Sequence, residues 1–219
     1  MKHTSTRALY NYWDMVRGER PAPDRADIDP VGLRRELGDV FMLAADFVET
    51  LRFRLAGTRV CAVFGREIKG EAFPALWDET SRKTIDEVLS VLNNERIGAV
   101  AGLTGRTADG STVELEMIVL PLAHAGHARI RAIGTLVPLA PPYWLGDKPV
   151  VELHLGALRH VGPDSENLEA RRFSLAPSQQ PDVLRETEAP LAPAAGGRLK
   201  HRFTVFSGGR DTPSGEHTG

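Results

Sequence analysis

The segment "GAVAGLTGRTADGSTVELEMIVLPLAHAGHARIRAIGTLVPL", residues 98–139, constrains the fold more than any other part of the chain. Val113, Leu115, Met117 and Val119 alternate with Glu114 and Glu116, the pattern of a half-buried antiparallel strand. Asp109-Gly110 is a strong hairpin signal, and "HAGH" at 124–127 supplies a second turn. The segment therefore divides into three predicted strands, 98–107, 112–122 and 129–138.

A second strand pair lies upstream, in "DVFMLAADFVETLRFRLAGT". Its runs, 39–46 and 50–57, are joined by a short polar turn. Leu51, Phe53 and Leu55 alternate with Arg52 and Arg54, which gives one buried and one wet face. Residues 59–77 are broken by Gly65, Gly70 and Pro74 and read as short helical turns. Ile85, Val88, Leu89 and Leu92 then form one stripe of a helix over 79–95.

Near the N-terminus, Leu9, Tyr12, Trp13 and Val16 fall at i, i+3, i+4 and i+7 of a helix closed by Gly18 and Pro21. "ADIDPVGLRRELG" reads as a short helix, with Asp29 as N-cap, Pro30 at the first helical position and Gly38 past the last turn. The order predicts an α+β fold: a five-stranded antiparallel sheet with helices over one face. Residues 1–37 would be N-terminal flanking helices, 38–142 the core and 143–219 a C-terminal extension. In that extension "YWLGDKPVVELHL" reads as a further strand or an edge segment. Residues 161–197 have the composition of a disordered linker, and "LKHRFTVFSGGR" regains strand alternation.

A formal charge of −2 gives no basic excess for nucleic acid, and a single cysteine excludes an internal disulfide framework. No signal-peptide core and no apolar run of membrane-spanning length is present, so a cytoplasmic protein that does not engage a membrane is expected.

The order of elements is also that of a PAS domain. "YNYWDMVRGERPAPDRADIDP", "RFRLAGTRVCAVFGREIKG", the Leu76-Trp77 pair, "ELEMIVLPL" and the terminal "HRFTVFSGG" resemble the stand-alone PAS-like family typical of alphaproteobacteria, formerly catalogued as a domain of unknown function. The resemblance spans most of residues 5–142 and that last patch. It implies a cupped sheet enclosing a small pocket, and a sensory or regulatory role in bacterial signalling through small-ligand binding, protein–protein interaction or both.

Neither haem nor flavin is the cofactor expected for that pocket. Flavin-binding relatives use a reactive cysteine in a polar motif, whereas Cys61 sits in "RVCAVFG" among small apolar residues, the setting of an inert thiol. Haem-binding relatives take a histidine from the long helix, and 79–95 has none. His124 and His127 have ligand-like spacing without a third ligand, so no metal site is assigned. No hydrolase or phosphate-loop motif occurs, and Glu114 and Glu116 read as a solvated sheet face. No catalytic residue is assigned; a small α+β enzyme with an unrecognised site is the alternative.

The candidate pocket, between the sheet and the long helix, draws on Phe53, Leu55, Phe64, Trp77, Val88, Leu92, Val100, Leu115 and Met117, any of which could equally be plain core. Gly102 and Gly134 would leave room there for a ligand or a helix. The stripe of Leu9, Tyr12, Trp13 and Val16 has two fates open to it, its own sheet or a homodimer interface. A signalling protein is the other expected partner.

Overall fold

The computed structural model describes residues 1–45, 50–123 and 131–163, apart from the side chain of Arg131. The "HAGH" turn, the predicted linker from residue 164 onward and the alternation at 199–210 lie outside the described residues.

Helix α1 (Thr4–Arg17) leads, followed by two short 3-10 turns, Arg25–Asp27 and Pro30–Leu33. Strands β1 (Val40–Ala45) and β2 (Leu51–Ala56) come next, then helix α2 (Thr58–Phe64), a 3-10 turn at Phe73–Leu76 and helix α3 (Glu79–Asn94). Strands β3 (Gly98–Thr107), β4 (Thr112–Leu122), β5 (Arg131–Pro138) and β6 (Val150–Val161) complete the regular structure of the described residues. All strand pairs are antiparallel, in the order β2-β1-β5-β4-β3-β6.

Local chemistry accounts for most boundaries. Asp78 caps α3, its carboxylate accepting from Thr80 N (3.0 Å) and Ser81 N (3.3 Å). Gly65 closes α2 in the left-handed conformation at φ 61°. Asp29 does cap the turn after it, accepting from Val31 N at 2.8 Å. That turn is 3-10 and only four residues long, Pro30–Leu33, rather than the expected helix through to Gly38. Gly32 is a poor helix former, and the Tyr12 ring lies against it, so close that a Cβ there would meet Tyr12 Cε2 at 2.4 Å.

The sheet is covered on both faces. One face, here the inner one, carries Phe41, Phe53, Leu103, Leu115, Met117 and Leu136 against α2, α3 and the turn between them. On the outer face, α1 and the segment after it lay Leu9, Trp13, Ile28 and Leu33 over Val40, Val100, Ile118, Leu120 and Ile133. Burying apolar area on both faces is what makes β4 almost wholly buried rather than alternating.

Two expectations change. The sheet has six strands rather than five, because the extension after Pro142 returns as β6 and pairs with β3 over most of its length. The expected domain boundary at 142 thus falls inside one sheet, and the predicted linker start at 161 falls on the last residue of β6. The edge of β6 is lapped by the start of α3, where Asp78 N donates to Leu153 O (3.0 Å) and Leu155 N donates to Ser81 Oγ (2.8 Å).

Candidate binding trough on the outer sheet face

The site begins with a register change. Met42 pairs with Leu55 and Leu43 with Phe53, so Arg54 is an extra residue with no partner on β1. Such a bulge turns two consecutive side chains to the same side of the sheet. Phe53 stays on the inner face, while Arg54 and Leu55 both face outward beside Met42. Sequence alternation places Leu55 in the inner pocket; it is instead 44 % exposed and lines outer cavities.

Two depressions meet there. One, of about 400 Å³, runs beneath the 25–38 segment over Ile28, Leu33, Val40, Met42 and Ile133. The other, of about 330 Å³, runs over Met42, Ala44, Leu122 and Ala132 with Arg54 at its side. Arg25, Met42 and Leu55 line both, so the two form one continuous trough. Its floor is apolar, and the charged side chains among the described residues that line it are the guanidinium groups of Arg25 and Arg54.

The expected inner pocket is occupied by its own lining. Phe53, Phe64, Trp77, Leu92, Leu115 and Met117 do come together on the inner face, as one packed core. The Phe41, Phe53 and Phe73 rings lie 5.6–6.0 Å apart, and Trp77 packs on Phe73 at 5.8 Å. Val88 is buried on α3 at 4 % exposure. The Trp77 indole N–H is buried without an acceptor among the described residues. Val100 is on the opposite face from these, packed in the outer core, where it also lines a third cavity of about 390 Å³ with Gly102 and Glu116. Gly102 opens into space, whereas Gly134 makes room for neither ligand nor helix but for the Phe41 ring, 2.4 Å from where its Cβ would be.

The N-terminal stripe is spent within the chain. Leu9 and Trp13 are fully buried, and Trp13 Nε1 donates to Pro121 O at 2.8 Å. Arg17 lies 5.5 Å over the Trp13 ring. Tyr12 and Val16 are half-buried against the same cluster, with the Tyr12 hydroxyl accepting from Asp29 N at 2.8 Å. Leu9 and Trp13 are thus taken up by the chain's own sheet, while Tyr12 and Val16 keep part of their surface outside it.

Two buried carboxylates hold α1 in place. Asp39 accepts from Ser5 Oγ (2.7 Å) and, in a fork, from Arg59 Nε (2.6 Å) and Nη2 (2.9 Å). The Asp39 hydrogen bond in turn raises the Arg59 pKa. Glu116 accepts from the backbone N–H groups of Lys2 (2.6 Å) and His3 (2.9 Å). Burial works against its ionised form, but these donors outweigh it and hold the carboxyl below its ordinary range. Glu114, two residues earlier, is exposed as expected; Glu116 is not, because the chain's entry to α1 covers it.

Cys61 is half-buried on α2, 3.9 Å from the Ala56 carbonyl and 3.6 Å from Glu67 Oε1. Burial pushes its thiol pKa up and the Glu67 charge adds to that, so the nucleophilic thiolate is disfavoured. Among the described residues no three His, Cys, Asp or Glu side chains are grouped as metal ligands, and His124 and His127 lie outside those residues. No helix among them is long and apolar enough to cross a membrane.

A family model described as PAS domain matches residues 1–137. Among solved structures, the chain is similar to the crystal structure of the PAS domain of a protein from Colwellia psychrerythraea. The identity is 15 % and the TM-score 0.37, over 50 % of this chain and 97 % of that one. No curated protein matches the chain.

Proposed function

The chain belongs to the PAS domain family, and we propose that it is a regulatory, sensory-type member that works by binding rather than by catalysis. One observation carries this reading. The bulge at Arg54 leaves an open trough on the outer sheet face, while the inner face is filled by the protein's own aromatic rings. A concave, mostly apolar surface with a few charged groups suits recognition of a small molecule or a short segment of a partner protein. Acid–base catalysis would call for titratable side chains converging on a cleft. Among the described residues the trough has an apolar floor and two arginines, which cannot exchange protons near neutral pH. A cytoplasmic signalling role belongs to the same reading.

Native mass spectrometry of the full chain, isolated from its own cells, tests it. The expected result is a non-covalent adduct or co-purifying partner that leaves on denaturation and is missing from Leu55→Arg, a change at a half-exposed position that fills the trough. Equal occupancy in Leu55→Arg would remove the trough from the account. Turnover of a substrate abolished by a trough substitution would overturn the binding reading itself.

A further inference from the structure

Resting on that reading, we propose that the trough receives a small amphipathic anion, a monocarboxylate with an unbranched apolar tail. The argument starts from the arginines. Arg17, Arg20, Arg59 and Arg66 each pair with an Asp or Glu. The guanidinium groups of Arg25 and Arg54 have no hydrogen-bond or ion-pair partner among the described residues, although both line the trough. Arg54 is the extra residue of the bulge, which turns Leu55 out to the same side of the sheet beside it. Arg25 lines both depressions, so a head group that meets it lies where they join.

The floor dictates the rest of the ligand. From the arginines it runs over Met42 and Leu55 to Val40 and Ile133, beneath Ile28 and Leu33, with no carboxylate among the described residues that line it. An apolar tail buried there gains hydrophobic free energy per methylene. A carboxylate head meets planar donors suited to two-pronged hydrogen bonding. A cation would face two positive charges, and a neutral chain would cover guanidinium groups without satisfying them. Cavities of about 330 and 400 Å³ fall in the size range of small-ligand sites.

The test titrates the isotope-labelled full chain with sodium dodecanoate below its micelle concentration, followed by amide chemical shifts. Dodecanol and dodecyltrimethylammonium are run in parallel. Saturable dodecanoate binding is expected, with shifts at Arg25, Met42, Arg54 and Leu55. Arg25→Gln and Arg54→Gln should each weaken it about tenfold or more, the loss expected for one charge-assisted contact, and leave dodecanol unchanged. Dodecanoate no tighter than the ammonium probe, unaltered affinity in both arginine variants, or shifts confined to the inner face would each overturn the proposal. The two readings fail separately. A neutral, cationic or protein occupant lost in Leu55→Arg defeats the anion and keeps the binding function; an occupant indifferent to Leu55→Arg defeats both.

Discussion

Glu116→Gln is the most informative single substitution for how α1 is held. The residue is 5 % exposed, and its two carboxylate oxygens divide the work: Oε2 takes Lys2 N at 2.6 Å and Oε1 takes His3 N at 2.9 Å. A carboxylate is an acceptor at both oxygens, whereas an amide presents one acceptor and one donor. Glutamine therefore keeps the shape but turns an NH₂ toward one of the two backbone N–H groups. A hydrogen bond to a charged group contributes about 1.5–3 kcal/mol. Losing one and neutralising the other should cost about 2–3 kcal/mol. Glu114→Gln is the control. Its exposed carboxylate accepts from Thr104 Oγ1 at 3.1 Å, and the change should stay within about 0.5 kcal/mol.

The pH dependence supplies a second, independent reading of the same contact. The native Glu116 carboxyl sits below its ordinary value of 4.5 despite burial, because the Lys2 and His3 N–H groups favour the charged form. On acidification the unfolded chain then takes up this proton before the native one does. The contribution is complete above the unfolded pKa and is lost as pH falls through the native one. A protonated carboxyl has the donor–acceptor pattern of the amide, so wild-type and Glu116→Gln should converge in acid. Urea unfolding from pH 7 down to pH 3 measures both effects. Equal stability at neutral pH, or a gap that stays constant into acid, would refute the assignment of Glu116 as the clamp.

Four further substitutions test the packing of α1 and of the sheet. Asp39→Ala should cost about 2–4 kcal/mol in urea unfolding, since it leaves the buried Ser5 hydroxyl unpaired; Arg59, with a side chain 57 % exposed, can turn to water and limits the loss. Ser5→Ala should cost about 1 kcal/mol, and a double-mutant cycle should show the two coupled. Gly134→Ala would set a methyl 2.3 Å from Ile118 O and 2.4 Å from the Phe41 ring, and should destabilise by about 1–3 kcal/mol. Gly102→Ala meets nothing within 4 Å and should be near neutral by the same thermal or urea assay.

These substitutions fall where the sequence is hardest to read. The limits of β1, β2, α3, β3 and β4 lie within a residue or two of those expected, because period-two alternation and i, i+3, i+4 spacing are local signals. The face of Val100 is not legible for the same reason. In "GAVAGL" its neighbours Ala99 and Ala101 are themselves buried, so no polar residue marks which side is wet. Glu114 and Glu116 share a face by alternation, and only a contact more than a hundred residues away separates them. The partner of β6 is likewise remote in sequence, so its alternation could suggest a strand but not its place beside β3.

The trough shows the sharper limit. Alternation assigns faces only while register is unbroken, and one extra residue reverses the assignment of every later residue in the strand. "LRFRLA" reads as an unbroken alternation, yet its fourth residue, Arg54, has no partner, and Leu55 is thereby moved to the outer face. No glycine or proline marks the break, since a bulge of this kind can be built from ordinary residues. What sets the break is the pairing with β1, where Met42 and Leu43 hold Leu55 and Phe53 with Arg54 between them. Leu55, the residue that departs from the local pattern, is therefore the one that joins the unpaired Arg54 in the candidate site. A reading confined to alternation assigns Leu55 to the core and Arg54 to the solvent, and so misses their meeting in one trough.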